Sequence, residues 1–266
     1  MDQTLQLITW NMLADGYIRP KYYPHTAPEF LCPESRHPRI VEALRGWAPD
    51  LCCLQEVEQP LFDAIMAALE PGGWRGQLAI KDGRREGVAL VWRDAAVAVE
   101  QTHTLHYAAT SKGHRSTALI AQVRPTGAPQ PFILVSTHLA WAHRTTPPDE
   151  HPGCLQLAEL LDARDAGALS APGLPWIVCG DLNDEPQGPV LAHAAARGLK
   201  MPCAQARPWH TGNFNDRLVK LDYALADEHA PALRPHPLPA LTKTTPMPGP
   251  DHPSDHLPLR LSLTCA

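Results

Sequence analysis

Two spacings of apolar residues interleave along this 266-residue chain. Apolar runs of roughly four to six residues read as strands buried on both faces. Between them lie stretches where apolar residues return every three or four positions, as on one-sided helices. Leu5 to Trp10, Asp50 to Leu54, Val88 to Trp92, Val97 to Leu105, Thr117 to Val123, Phe132 to Thr137, Trp176 to Cys179 and Leu221 to Leu225 are the predicted strands. A last one alternates through Leu259, Leu261 and Leu263. A helix is expected over 38–48, where Pro38 suits a first turn and Ile40, Val41, Leu44 and Trp47 share a face. Another runs from Pro60 through Leu61, Phe62, Ile65, Met66 and Leu69 to Gly72-Gly73. A third covers 153–166, with Gly167 as its C-cap. Hairpin turns at Asp82-Gly83 and Lys112-Gly113 are frequent enough to predict an α/β fold of two packed, mostly antiparallel sheets with helices outside.

Polar residues close several of these runs: Asn11 in Thr-Trp-Asn-Met-Leu, Glu56 in Leu-Gln-Glu-Val-Glu, His138 in Ser-Thr-His-Leu, and Asp181 and Asn183 in Gly-Asp-Leu-Asn. Asp255-His256 stands just before the last strand. Groups at the ends of neighbouring strands can converge on one pocket. Because these segments reach from residue 11 to 256 and are needed together, 1–266 is expected to form a single catalytic domain.

Hydrophobic content of 44% and charged content of 19% are those of an ordinary globular protein. The formal net charge of −5 argues against long, sequence-blind binding to duplex nucleic acid. It leaves room for a short phosphate-bearing substrate, since bound cations reverse the sign of a carboxylate cluster. The seven cysteines are scattered and lack a Cys-x-x-Cys pair, which points to buried thiols in a reducing compartment. No apolar stretch reaches membrane-span length, and the first residues enter a strand without a leader, so a cytoplasmic location is expected. Proline clusters at 20–38, 145–152 and 231–253 read as rigid loops beside the polar segments.

A phosphate ester repels hydroxide, and a divalent cation removes that obstacle. Magnesium needs few carboxylates, so Glu56 is a first candidate ligand, although alone it reads equally as an exposed strand-end glutamate. Asp181 and Asn183, two residues apart, can orient a water and donate to a phosphate oxygen, or merely form an Asx turn; Gly180 lets the chain turn there. Asp255-His256 offers a metal ligand beside an imidazole, with Asp222 as the carboxylate that would hold it; a simple turn at Ser254-Asp255 is the alternative. His138 and Asn11, taken singly, carry little information.

In this order along the chain, the segments resemble the endonuclease/exonuclease/phosphatase superfamily over nearly the whole length. Thr-Trp-Asn-Met-Leu-Ala-Asp-Gly-Tyr (9–17), Phe-Leu-Cys-Pro (30–33), Pro-Asp-Leu-Cys-Cys-Leu-Gln-Glu-Val-Glu (49–58), His-Leu-Ala-Trp (138–141) and Pro-Ser-Asp-His-Leu-Pro-Leu (253–259) are similar to its deadenylase-type branch, with nocturnin-like, Angel-like and 2′-phosphodiesterase members. The resemblance implies a four-layer αββα sandwich with a Mg2+ site, Mn2+ being an alternative, at one end of the sheets. It implies that Asn11, Glu56 and Asp255 lie at the metal, Asp181 positions water, and Asn183 holds phosphate. His138 and His256 would touch the scissile phosphate, with Asp222 behind His256. The chain departs from that branch in lacking leucine-rich repeats, in the basic stretch Asp82-Gly-Arg-Arg-Glu, and in the histidines and arginine (His143, Arg144, His151) after Trp141.

Candidate substrate contacts are Trp141, which reads equally as a base-stacking ring or a buried loop tryptophan, and Tyr17, Tyr22 and Tyr23 with Arg19 and Lys21 as one cleft wall. Arg144 is a further substrate-contact candidate, while Arg84, Arg85, Lys112, His114 and Arg115 are candidates for outer phosphates or simply members of solvated charged loops. The function expected is a divalent-metal phosphodiesterase, a 3′–5′ exoribonuclease on short single-stranded RNA ends. The alternatives are a phosphatase or cyclic phosphodiesterase on a terminal phosphate or small metabolite, and an inactive binding relic. No membrane and no obligate protein partner are expected.

Overall fold

A computed structural model describes residues 3–111, 113–170, 173–201, 209–214 and 216–265. Lys112, Cys203 and the His114 side chain lie outside them. The chain runs β1 (Gln3–Asn11), α1 (Pro33–Trp47), β2 (Leu51–Glu58), α2 (Gln59–Leu69), β3 (Trp74–Ile80), β4 (Glu86–Arg93), β5 (Val97–Ser111), β6 (His114–Pro125) and β7 (Phe132–His138). It continues through α3 (Pro152–Asp165), β8 (Trp176–Asp181), α4 (Pro189–Ala196), β9 (Gly212–Phe214), β10 (Arg217–Val219), β11 (Asp222–Ala226), β12 (Ala232–Pro235) and β13 (Leu259–Cys265).

One sheet has the order β12-β13-β1-β2-β4-β3 and the other β11-β8-β7-β6-β5, while β9 and β10 form a small ribbon. Strand alternation explains the layers. In β2, Leu51 and Cys53 enter the core between the sheets, while Cys52 and Leu54 pack toward α1 and α2. In β8, Ile177 and Cys179 face the same central core, and Trp176 and Val178 pack with residues of α3 and α4. Both faces of the central strands are covered, which is why their sequences are continuous apolar runs. The result is a four-layer αββα sandwich.

Each sheet is antiparallel except at its centre, where β1 pairs with β2 and β7 with β8 in parallel. Parallel neighbours finish at the same edge. Asn11 and the Gln55-Glu56 end of β2 therefore stand together, and His138 is the register partner of Asp181. Asp222, the first residue of antiparallel β11, is also opposite Asp181.

Three local expectations are corrected. The first long helix begins at Pro33, and Pro38 lies inside it; Pro33, not Pro38, occupies the first turn. The proline-rich segment read as a loop over 231–253 contains β12, and α4, β9 and β10 were not anticipated. Gly180 does not turn the chain. It lies within β8, where a Cβ would stand 1.8 Å from the Thr137 carbonyl oxygen, so close approach of β7 requires glycine.

Candidate active site

The polar floor is built from the strand ends just described. At Glu56 the pairing of β2 with β4 shifts register between Gln55 and Val57, and Glu56 takes a left-handed φ of 54°. This bulge turns its carboxylate off the ladder toward Asn11. The Asn11 amide nitrogen donates to Glu56 Oε1 and to Asp181 Oδ2, both at 3.0 Å. One amide thus links a carboxylate of each sheet. The Asn11 oxygen accepts from the Leu13 N–H at 2.9 Å, so this side chain sets the two carboxylates and does not turn its own oxygen toward them. The other Glu56 oxygen accepts from the Ala14 N–H at 3.0 Å.

His256 lies beside this floor. Its Nδ1 is 2.8 Å from Asp222 Oδ2, and its Nε2 is 3.6 Å from Asp181 Oδ2. Burial works against charging the imidazole, but Asp222, Asp181 and Asp255 outweigh it and raise its pKa well above the ordinary value. Burial, with Asp222 adding to it, pushes Asp181 up to about 7. Asp255 is buried; its Oδ2 accepts from the Tyr23 hydroxyl at 3.0 Å, and its pKa is raised by burial.

His138 behaves oppositely. Burial, then the charges of Lys81 and His256, hold its pKa well below normal, so the ring is neutral. Its Nε2 is 2.9 Å from Asn183 Nδ2, and its Nδ1 is 3.2 Å from Lys81 Nζ. Lys81 is buried and pairs with Glu86 at 2.9 Å, which accepts from the Tyr17 hydroxyl at 2.8 Å. Sequence reading missed Lys81 and Glu86 because they flank a charged stretch that looks like a solvated loop. It also missed Arg36, fully buried in α1, which donates to the carbonyls of Pro253 at 2.8 Å, Leu13 at 2.6 Å and Met12.

Glu56, His138, Asp181, Asn183, Asp255 and His256 form the floor of a cleft of about 1260 Å³. Trp141, Arg144, Tyr17 and Tyr22 line it, as does His143. Tyr23 reaches it too but is buried, supporting Asp255 where a cleft wall was expected. Arg84 stands 6.0 Å from the Tyr17 ring centre and is not itself among the lining residues. Arg115 pairs with Thr110 in the β5–β6 hairpin and, like Arg85, does not line the cleft. Arg19 donates to Gly16 and Ile18 carbonyls of its own loop, and His151 caps α3. Arg84, Arg85, Arg115 and Arg19 were expected nearer the substrate, but none of them lines the cleft.

The model of the endonuclease/exonuclease/phosphatase family matches residues 8–256. The chain belongs to this family. It is 26% identical to rat 2′,5′-phosphodiesterase 12 over 326 residues, covering 97% of this chain and 51% of that protein. Human nocturnin is 25% identical over 282 residues, covering 96% of this chain and 64% of nocturnin. The chain thus spans about half to two thirds of the length of these relatives. Among solved structures, ANGEL2, described as a 2′,3′-cyclic phosphatase, superposes with a TM-score of 0.81 at 18% identity, covering 99% of this chain and 96% of that one.

Members of the endonuclease/exonuclease/phosphatase family are typically divalent-metal hydrolases, and the donors here suit a hard cation. Glu56, Asp181 and Asp255 are buried carboxylates whose pKa values are all raised, first by burial. Asp255 Oδ1 is buried without a hydrogen-bond partner. A dication would relieve both strains. Asp181, Asp222 and His256 also bring one ligand atom each within 4.8 Å of one another. Since the His256 Nδ1 is engaged by Asp222, that set is better suited to holding a proton. Among the described residues, no helix is long and apolar enough to cross a membrane.

Proposed function

We propose that this chain is a divalent-metal phosphodiesterase that hydrolyses RNA phosphate esters, acting as a 3′–5′ exoribonuclease on short single-stranded ends. The observation that carries the reading is the Asn11 amide holding Glu56 and Asp181 together, with the His256–Asp222 pair beside Asp181. Glu56 and Asp255 would hold Mg2+ or Mn2+, which supplies charge neutralisation at the phosphate and support for the leaving oxygen. Asp181, with a pKa near 7, takes the proton of the attacking water at neutral pH. The His256 imidazolium faces the charge that builds on phosphorus oxygens, and Asp222 keeps it protonated. Asn183 Nδ2 donates to the Leu139 carbonyl and to Nε2 of neutral His138, and a non-bridging phosphate oxygen would take over the second of these hydrogens.

Carboxylates outnumber arginines in the cleft lining, which favours a second reading. In it the same floor removes a terminal phosphate, such as a 2′,3′-cyclic one, or acts on a small phosphorylated metabolite. The six described cysteines are free thiols, five of them buried, which supports a cytoplasmic setting.

Incubation with single-stranded RNA, RNA ending in a 2′,3′-cyclic phosphate and bis(p-nitrophenyl) phosphate, with Mg2+ or Mn2+, tests both. Mononucleotide release selects the exonuclease, and loss of the end phosphate alone selects the phosphatase. No turnover of any substrate sinks both. Glu56→Gln should raise the metal concentration needed for half-maximal rate; an unchanged titration removes Glu56 from the ligands.

A further inference from the structure

Exposed aromatic rings gather at one place. Among the described residues, Tyr17, Tyr22, Trp141 and Leu155 are the exposed large hydrophobic side chains, and the three aromatic ones all line the cleft. Single exposed apolar groups are ordinary, whereas their concentration on one concave surface marks a contact site. Two of the rings already face a cation: Lys21 Nζ is 5.2 Å from the Tyr22 ring centre, and the Arg84 guanidinium is 6.0 Å from that of Tyr17. Trp141, 60% exposed, has no ring or cation partner among the described residues.

The cations of the cleft are as unevenly committed. Arg217 is paired with Glu185. Arg144 has no ion pair or hydrogen bond among the described residues. Against these two stand Glu56, Asp181, Asp184, Glu185 and Asp255. A groove that follows many nucleotides presents a succession of cations to successive phosphates. Among the described residues lining this cleft, Arg144 alone is an uncommitted guanidinium.

Trp141 and Arg144 share the loop after β7, and its root is pinned. Leu139 N–H donates to the Asp181 carbonyl at 3.0 Å, Asn183 Nδ2 to the Leu139 carbonyl at 2.8 Å, and Ala140 N–H to the buried Gln156 Oε1 at 2.8 Å. A free indole therefore follows directly on a pinned backbone, with a free guanidinium three residues further along the same cleft-lining loop.

We infer that the cleft takes a dinucleotide-sized substrate, with one base stacked on Trp141 and Arg144 holding the single phosphate beyond the scissile one. This rests on the phosphodiesterase reading. Water gives its hydroxyl to phosphorus, one ester P–O bond breaks, and the remaining proton ends on the leaving oxygen, so no other reactant is needed. The substrate limit comes from Arg144, the one free guanidinium among the described lining residues, and base recognition from the indole.

The test compares pApA, ApA, the abasic analogue of pApA and a 5′-phosphorylated adenylate 12-mer, with Mg2+ or Mn2+. pApA is expected to exceed its abasic analogue about tenfold or more in kcat/KM, the range of one base stack. It is expected to match the 12-mer within about threefold per end, because among the described residues no other uncommitted guanidinium lines the cleft for further phosphates. Trp141→Ala should abolish the base preference through KM, and Trp141→Phe should restore most of it. Arg144→Gln should erase the preference for pApA over ApA. Rates that climb steadily with length, or an equal Trp141→Ala loss on the abasic analogue, overturn the inference. Failure of the underlying reading is distinct: bis(p-nitrophenyl) phosphate would not be hydrolysed either. Calorimetric binding of pApA then still decides, since unchanged affinity in Trp141→Ala rejects the stack and a tenfold loss upholds it.

Discussion

Replacing Arg36 with methionine keeps most of the side-chain volume and removes one buried cation from behind the catalytic floor. Its guanidinium donates to the Pro253, Leu13 and Met12 carbonyls and to Asp15 Oδ1 at 2.5 Å, tying the loop after β1 to the loop before β13. Burial lowers its pKa, against the opposing charges of Asp15 and Asp255. Hydrogen bonds to a charged group are worth about 1.5–3 kcal/mol each, so four taken singly would sum to roughly 6–12 kcal/mol. They share one donor group and are not additive, and Asp15 is partly solvated and retains His37 at 2.9 Å. The loss expected is therefore that of breaking a buried pair, about 3–5 kcal/mol. Urea unfolding measures it directly, and the melting temperature should fall by roughly 10 °C in a chain of this size. Arg36→Lys, keeping charge but fewer donors, should fall between. Because Met12, Leu13 and Pro253 frame Asn11 and Asp255, kcat should drop as well under conditions where the variant is folded. A loss below about 1 kcal/mol with unchanged kcat would refute the tie.

Asp181→Ala should cost about three orders of magnitude or more in kcat with little change in unfolding midpoint, as measured by steady-state kinetics and urea titration. With a chelator present, stability should rise as pH falls from 8 to about 6.5: Asp181, at about 7, and the raised Glu56, Asp255 and His256 bind protons in the native state that the unfolded chain has released. Below that, the lowered His138 opposes the trend; Mg2+ should flatten the slope, and a metal-free melting temperature that rises with pH over this window would contradict the burial argument. Gly180→Ala should unfold the protein or fail to accumulate, because its Cβ would meet the Thr137 carbonyl oxygen at 1.8 Å; a folded variant with native circular dichroism would refute the close approach.

The central strands were legible because burial on both faces writes itself as an uninterrupted apolar run, and the polar residue ending each run fell at the crest. Asp222 was legible only with His256 in mind, since its partner lies 34 residues away. What escaped were contacts with no local signature. Arg36 serves residues 21 to 217 positions distant, and in sequence it is one more charge in an amphipathic helix. Lys81 looks like the start of a solvated loop until β4 brings Glu86 back beside it. The proline-rich segments concealed β12 because an edge strand tolerates the prolines that would break a central one. The bulge at Glu56 has no glycine to announce it, since tertiary contacts alone hold that left-handed backbone.

The parallel pair at the heart of each sheet also has an unused side. At the rim where β6 ends at Pro125 and β7 begins at Phe132, the connecting residues are turned away from every group of the cleft floor. Tags, tethers or reporter peptides grafted there would be borne by the scaffold as a handle, leaving the cleft at the far crest untouched.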